Sequence, residues 1–172
     1  MLEPRLTLVL GGARSGKSRY AEALVEAGAA EALYLATAEP LDDEMKARVA
    51  AHRARRGPCW TTLEAPLALA ATLAASARPL RPVLVDCLTL WLSNLFQAGR
   101  DVAAETDALA AVLPHLAGPA VLVANEVGLG IVPDNRLARE FRDAAGRLNR
   151  EVAARCDRVV FIAAGLPLAL KG

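Results

Sequence analysis

Short apolar runs alternate with amphipathic stretches along the chain, and the two periods divide it into strands and helices in turn. Leu6-Thr7-Leu8-Val9-Leu10 is a short, mostly apolar run, as a buried parallel strand would be. After Ser18, Tyr20, Ala21, Leu24 and Val25 share one face of a helix, and Arg19, Glu22 and Glu26 share another. Residues 32–37 predict a second strand. Glu39-Pro40-Leu41 then turns the chain, and Asp42 caps a helix with Asp43 and Glu44 in its first turn. That helix runs to Arg56, where Gly57-Pro58 stops it. Residues 60–63 are too short to assign. Pro66 suits the first turn of an Ala/Leu-rich helix ending near Arg78-Pro79. Residues 83–86 form a buried strand that ends in a carboxylate, and residues 90–96 and 102–113 read as helices. Residues 120–124 make another buried strand running into Asn125-Glu126, followed by a loop over 128–135. A long amphipathic helix spans about 136–155, and residues 159–163 give the last strand. Strands and helices in alternation predict an α/β fold with a mostly parallel central sheet and helices on both faces. There is no internal repeat, low-complexity tract or linker, so residues 1–172 read as one domain.

Composition narrows the class. With 54% hydrophobic and 23% charged residues in 172, the chain reads as a soluble globular domain with a sizeable core. A net charge of +1 argues against a broad nucleic-acid surface. Cys59, Cys87 and Cys156 are odd in number and lack metal-ligand spacing, so they read as reduced thiols. The N-terminus lacks the layout of a signal peptide. The longest uncharged run, 108–125, is broken by Pro114, His115 and Gly118-Pro119, so it fits helix, turn and strand rather than a membrane span. A cytoplasmic enzyme is the expectation.

The chemistry begins at Gly11-Gly12-Ala13-Arg14-Ser15-Gly16-Lys17-Ser18, which fits the P-loop pattern G-x-x-x-x-G-K-[ST] between a strand and a helix. Backbone N–H groups of such a loop turn inward around a phosphate, and the helix N-terminus adds partial positive charge. Lys17 reaches the β- and γ-phosphates, and the Ser18 hydroxyl holds Mg²⁺. Ligands of open α/β sheets lie beyond the carboxyl ends of the strands. That places Thr37, Asp86 and Asn125-Glu126 beside the loop. Asp86 is either a Mg²⁺ carboxylate next to Ser18 or the cap of the helix after it. Glu126 is a second candidate for the metal, or a base for a hydroxyl substrate.

On the helix expected over 42–56, Arg48 and Arg56 lie one turn either side of His52, with Arg55 at i+3. Surrounding positive charge keeps an imidazole neutral and nucleophilic, and the same arginines suit a triphosphate. Two readings stay open: a nucleophile for a nucleotide α-phosphate, or a solvated basic face with an incidental histidine. His115, near a helix end, reads as structural. Gly128-x-Gly130 is too short for a dinucleotide fingerprint and reads as flexibility over the site.

The P-loop, Ala36-Thr37, Asp42-Asp43-Glu44-Met45, His52-Arg53, Asn125-Glu126-Val127-Gly128-Leu129-Gly130-Ile131-Val132-Pro133, Asn135-Arg136-Leu137-Ala138-Arg139 and Phe141-Arg142-Asp143 occur in one order. Together they resemble the bifunctional adenosylcobinamide kinase / adenosylcobinamide-phosphate guanylyltransferase family of cobalamin biosynthesis, over essentially the whole chain. The resemblance implies a RecA-like P-loop domain, usually a trimer. It implies phosphorylation of the aminopropanol hydroxyl of adenosylcobinamide by ATP or GTP with Mg²⁺. GMP then passes from GTP to that phosphate through a histidine, matched here by His52. The same match puts Ala36, Thr37, Ala38, Arg53, Ala54, Arg55, Glu64 and Asp86 at nucleotide-contacting positions. One departure is Ala51, where some relatives carry a second histidine, which leaves His52 alone on this helix.

Two rivals remain at this level. A single-function P-loop kinase for a small metabolite would leave His52 a bystander. A nucleotide switch would normally carry an Asn-Lys-x-Asp guanine-reading motif, which Asn125-Glu126-Val127-Gly128 is not, and a motor gains little support from near-neutral charge.

Overall fold

The computed structural model describes residues 5–38 and 56–172. Its centre is a seven-stranded sheet in the order β3-β2-β4-β5-β1-β6-β7 among the described residues. The strands are β1 (Leu6–Gly11), β2 (Ala32–Ala36), β3 (Trp60–Glu64), β4 (Val83–Asp86), β5 (Ala120–Asn125), β6 (Arg158–Ala163) and β7 (Leu166–Lys171). Every neighbouring pair is parallel except β6 and β7. The helices are α1 (Lys17–Glu26), α2 (Leu69–Ser76), α3 (Leu88–Gln97), α4 (Val102–Val112) and α5 (Arg136–Arg155), with a 3-10 turn over Leu113–His115.

Alternation along the strands decides which face each side chain fills. Leu8, Leu10, Leu33, Leu35, Val85 and Leu122 point to one side, where α2, α3, α4 and α5 cover them. Val9, Tyr34, Leu84, Val121 and Ile162 point to the other, against Ala21 and Val25 of α1. Both faces are thus buried, which is why the central strands read as nearly unbroken apolar runs.

Five expectations change. Residues 60–63, unassigned from sequence, belong to an edge strand paired in parallel with β2. The helix expected from Pro66 begins only at Leu69, because Pro66 O accepts a hydrogen bond from Asn94 Nδ2 at 3.0 Å and is drawn away from a helical ladder. A seventh strand lies beyond the last one expected: Ala164 and Gly165, at φ 52° and 80°, form a two-residue turn that returns β7 antiparallel to β6. Pro167 breaks the strand pattern in sequence, yet proline is tolerated in an edge strand. Glu22, expected on the polar face of α1, is buried. Arg56, expected at a helix end, lies in a bend as Gly57-Pro58 directs the chain into β3. The expected turn and helix over 39–55 lie outside the described residues.

Candidate functional site

The loop over Gly11–Ser18 owes its shape to its residue types. A Cβ on Gly11 would stand 2.6 Å from both Ile162 O and Ser15 Oγ, so only glycine closes β1 here. Arg14 and Gly16 take positive φ, 56° and 97°, and coil the chain back before α1 starts at Lys17. Gly16 caps α1 without a side chain, and no acidic residue stands in that first turn, so the leading N–H groups face the loop uncontested by their own helix. Lys17 is buried, and its Nζ donates to Gly12 O at 3.0 Å, which holds the ammonium over the loop. Ser15 Oγ is buried with no hydrogen-bond partner among the described residues, a polar atom that a phosphate oxygen would satisfy. The Ala164-Gly165 turn braces the loop: Gly165 N–H donates to Ser15 O at 2.9 Å.

Register brings the other expected residues to the same edge. Glu64, Ala36 and Asp86 are aligned across β3, β2 and β4, and Gly11 is aligned with Asn125 across β1 and β5. The two oxygens of Asp86 are divided between partners. Oδ1 accepts from Ser18 Oγ at 3.4 Å, and Oδ2 accepts from Tyr34 OH at 2.8 Å. The cap of α3 is Cys87, with no side-chain capping bond, so Asp86 serves the loop rather than the helix. A serine hydroxyl and a carboxylate oxygen meeting beside the phosphate loop fit Mg²⁺, a hard cation that takes few protein ligands when phosphate and water oxygens complete its shell.

Tyr34 was not singled out by sequence, and it ties the site together. Burial, reinforced by the charge of Asp86, raises its pKa far above the ordinary phenol range, so the hydroxyl is a constant donor. Its ring carries the Arg56 guanidinium 3.7 Å from the centroid, and the Trp60 ring meets it edge-on at 6.0 Å. Arg56 also donates to Thr62 Oγ1 at 3.1 Å. The sequence grouped Arg56 with a phosphate-gripping cluster; here its guanidinium lies on Tyr34 and β3.

Thr37 is at the expected edge, and its polar groups are engaged within the protein. Its hydroxyl donates to Cys87 O and accepts from Cys87 N–H, both at 2.8 Å. Its carbonyl accepts from Asn94 Nδ2 at 2.7 Å, and its N–H donates to Asp86 O at 3.3 Å. Thr37 therefore locks the end of β2 to the end of β4, leaving Ala36 and Ala38 flanking it. Asn94, buried on α3, is a second residue that sequence reasoning missed. Glu126 N–H donates to Gly11 O at 3.0 Å, and Glu126 Oε1 accepts from Gly128 N–H, so the carboxylate is turned to its own loop. Asn125 N–H donates to Thr89 Oγ1 at 2.7 Å, and its carbonyl accepts from Asn149 Nδ2 at 3.2 Å. His115 is exposed, away from these groups in the 3-10 turn. His52, Arg53, Ala54 and Arg55 lie outside the described residues.

The comparisons agree with this geometry. Residues 7–170 match the family described as cobinamide kinase / cobinamide phosphate guanyltransferase. The chain is 52% identical over 167 residues to the bifunctional adenosylcobalamin biosynthesis protein CobP of Pseudomonas aeruginosa, with 96% of each covered. It is 41% identical over 181 residues to the bifunctional adenosylcobalamin biosynthesis protein CobU of Escherichia coli, covering 96% of this chain and 99% of that one. Among solved structures, a prototypical ATPase from a type III secretion system superposes with a TM-score of 0.53 at 14% identity, over 96% of this chain and 56% of that one. That likeness concerns the fold alone, which is the RecA-like P-loop arrangement. No helix among the described residues is long and apolar enough to cross a membrane.

Proposed function

The chain belongs to the cobinamide kinase / cobinamide phosphate guanyltransferase family, and on that premise we propose how its residues divide the two reactions. The family description names both activities, so the chain is a kinase and a guanylyltransferase of cobalamin biosynthesis, and the single-function kinase reading is set aside. The observation that carries the assignment is the convergence of Lys17, Ser18 and Asp86 at the glycine-capped start of α1.

In the kinase reaction, the phosphate loop and Lys17 hold the triphosphate of ATP or GTP so that the γ-phosphorus faces the aminopropanol hydroxyl of adenosylcobinamide. The hydroxyl oxygen bonds to that phosphorus while the bond to the β-phosphate oxygen breaks, and the nucleoside diphosphate leaves. The hydroxyl proton passes to a base, for which Glu126, held beside the start of the loop by its N–H on Gly11 O, is the candidate once its carboxylate turns from Gly128. Ser18 and Asp86 would hold Mg²⁺, which when bound neutralises phosphate charge. In the guanylyl transfer, a neutral His52 attacks the α-phosphorus of GTP and pyrophosphate leaves. An oxygen of adenosylcobinamide phosphate then displaces the imidazole, giving adenosylcobinamide-GDP and free His52. Arg53 and Arg55 offset charge on the transferred group, with Ala54, Glu64, Ala36, Thr37 and Ala38 bordering the nucleotide. The working unit is residues 1–172 as a single domain, assembled as a homotrimer in the cytoplasm and acting on a corrinoid rather than a nucleic acid.

Product analysis tests the division. Incubated with cobinamide and Mg²⁺, the protein is expected to yield cobinamide phosphate with ATP, and the GDP ester plus pyrophosphate with GTP. Lys17→Ala should lower the phosphate product by about 100-fold, the scale of losing one electrostatic stabiliser. His52→Ala should keep the phosphate and abolish the ester. An ester still formed at the wild-type rate by His52→Ala would contradict the assignment.

A further inference from the structure

On the flank shared by α3 and α5 lies a groove of about 630 Å³ that the phosphate chemistry does not use. Phe96 and Phe141 meet there with ring centroids 5.6 Å apart, and Val127 and Leu137 extend the apolar wall. Ser93 and Gln97, one helical turn apart on α3, add uncharged hydrogen-bonding groups. Arg142, the charged residue of this lining, is paired with Asp143 at 3.0 Å. The cleft between α4 and α5 is different in kind, bordered by Asp101, Asp107, Glu140 and Arg147.

The loop beside the groove is conspicuously apolar for a surface. Leu129 is 81% exposed, Ile131 97% and Val132 59%, and Leu137 at the start of α5 is 63% exposed. A contiguous set of this kind, rimmed by polar residues, marks a binding surface. The chain and a backbone hydrogen bond connect the groove's Val127 to the phosphate loop. Asn125 and Glu126, just before Val127, are bonded to Thr89 of α3 and to Gly11. Ser93 lies one turn beyond Thr89 on the same helix, about 7.5 Å of helical rise after Leu88, where α3 begins.

We propose that this groove, with the exposed apolar side chains of residues 129–132, binds the corrin macrocycle of the cobinamide substrate, so that its hydroxyl-bearing arm reaches past Asn125 and Glu126 to the phosphate loop. The proposal rests on the family reading above. A corrin is a broad, largely apolar ring edged by neutral amides. It requires apolar contact and uncharged donors and acceptors, which this wall supplies. The phosphates of a nucleotide call for cations or converging backbone N–H groups, whereas among the described residues of the lining the cation, Arg142, is paired with Asp143. The volume falls in the ordinary range of small-molecule sites, about 300–1,000 Å³, large enough for part of a macrocycle whose remainder rests on the open loop.

The test measures binding without turnover. The full chain is titrated with dicyanocobinamide by calorimetry, and separately with a fluorescent GTP analogue and Mg²⁺. Leu137→Glu and Ile131→Asp alter exposed groove positions, and Leu168→Glu on exposed β7 is the control. At least tenfold weaker cobinamide binding is expected for both groove variants and no change for the control. GTP-analogue affinity should stay within twofold, and sedimentation should be unchanged. Cobinamide affinity unaltered in both groove variants would overturn the proposal. So would a shift to smaller sedimenting species, which would make the groove a contact between copies of this chain. A wild-type chain that binds the GTP analogue but no dicyanocobinamide would instead overturn the underlying reading, and is seen before any substitution is made.

Discussion

Tyr34 stands in β2 on the face covered by α1, with its hydroxyl on Asp86 and its ring under Arg56. Because Asp86 accepts from Tyr34 through one oxygen, the other is left oriented toward Ser18. Tyr34→Phe keeps the ring for Arg56 and Trp60 and removes only this orientation. We predict a several-fold rise in the Mg²⁺ concentration needed for half-maximal binding of a fluorescent GTP analogue, with unchanged affinity in EDTA. An unchanged Mg²⁺ requirement would remove Tyr34 from the metal site. At Gly11 the constraint is steric. An added methyl would sit 2.6 Å from a backbone oxygen of β6, so β1 and β6 must separate at the point where the loop starts. Gly11→Ala should cost about 1–3 kcal/mol of stability, the range for overpacking, and abolish nucleotide-analogue binding. Urea denaturation and the same fluorescence titration check both.

At the scale of elements, the site depends on ties between segments far apart in sequence. Asn94 of α3 donates to Thr37 O after β2 and to Pro66 O after β3, so one buried amide holds two crossovers against one helix. Asn94→Ala leaves both carbonyls without that donor. It should lower the unfolding free energy by about 1–3 kcal/mol, read from the shift in urea midpoint at constant slope. The Ala164-Gly165 turn is the other tie. Gly165 at φ 80° is a conformation that side chains resist, and its N–H holds Ser15. Gly165→Val should therefore weaken nucleotide-analogue binding although β7 carries no site residue. Such ties explain what the sequence disclosed and what it withheld. β1, β2, β4 and β5 were readable because strands buried on both faces must be apolar throughout, and the loop was readable because its glycines are required locally. β7 was not: Leu166, Leu168 and Leu170 alternate with the period of a strand, but Pro167 inside that run argues against one, and the leucines stay exposed. The bonds from Tyr34 to Asp86 and from Asn94 to Thr37 span 52 and 57 residues, and no local pattern encodes such a contact.

For the whole molecule, two buried thiols link stability to pH. Burial raises Cys87 to about 11 and Cys156 to about 12, from an ordinary 9.0. A group whose folded pKa is raised contributes stability that is complete below its unfolded pKa and lost as pH rises toward the folded value. Stability should thus hold up to about pH 9 and fall above it, each thiol adding up to about 1.4 kcal/mol per pH unit to the slope. Urea midpoints from pH 8 to 10.5 should fall less steeply in a Cys87→Ala/Cys156→Ala variant; equal slopes would show that other groups dominate. Below that range the half-buried Cys59 should react with a thiol reagent well before the other two. The central claim is that one RecA-like domain runs both a γ-phosphoryl and an α-phosphoryl transfer, the second through a covalent nucleotide. Its most direct test is incubation with Mg²⁺ and GTP labelled at the α-phosphate, then denaturation without acid and intact mass, with His52→Ala alongside. The account predicts a single acid-labile GMP adduct on the wild-type chain and none on the variant. An unmodified wild-type chain under conditions where GTP demonstrably binds, or an adduct that survives in His52→Ala, would contradict it.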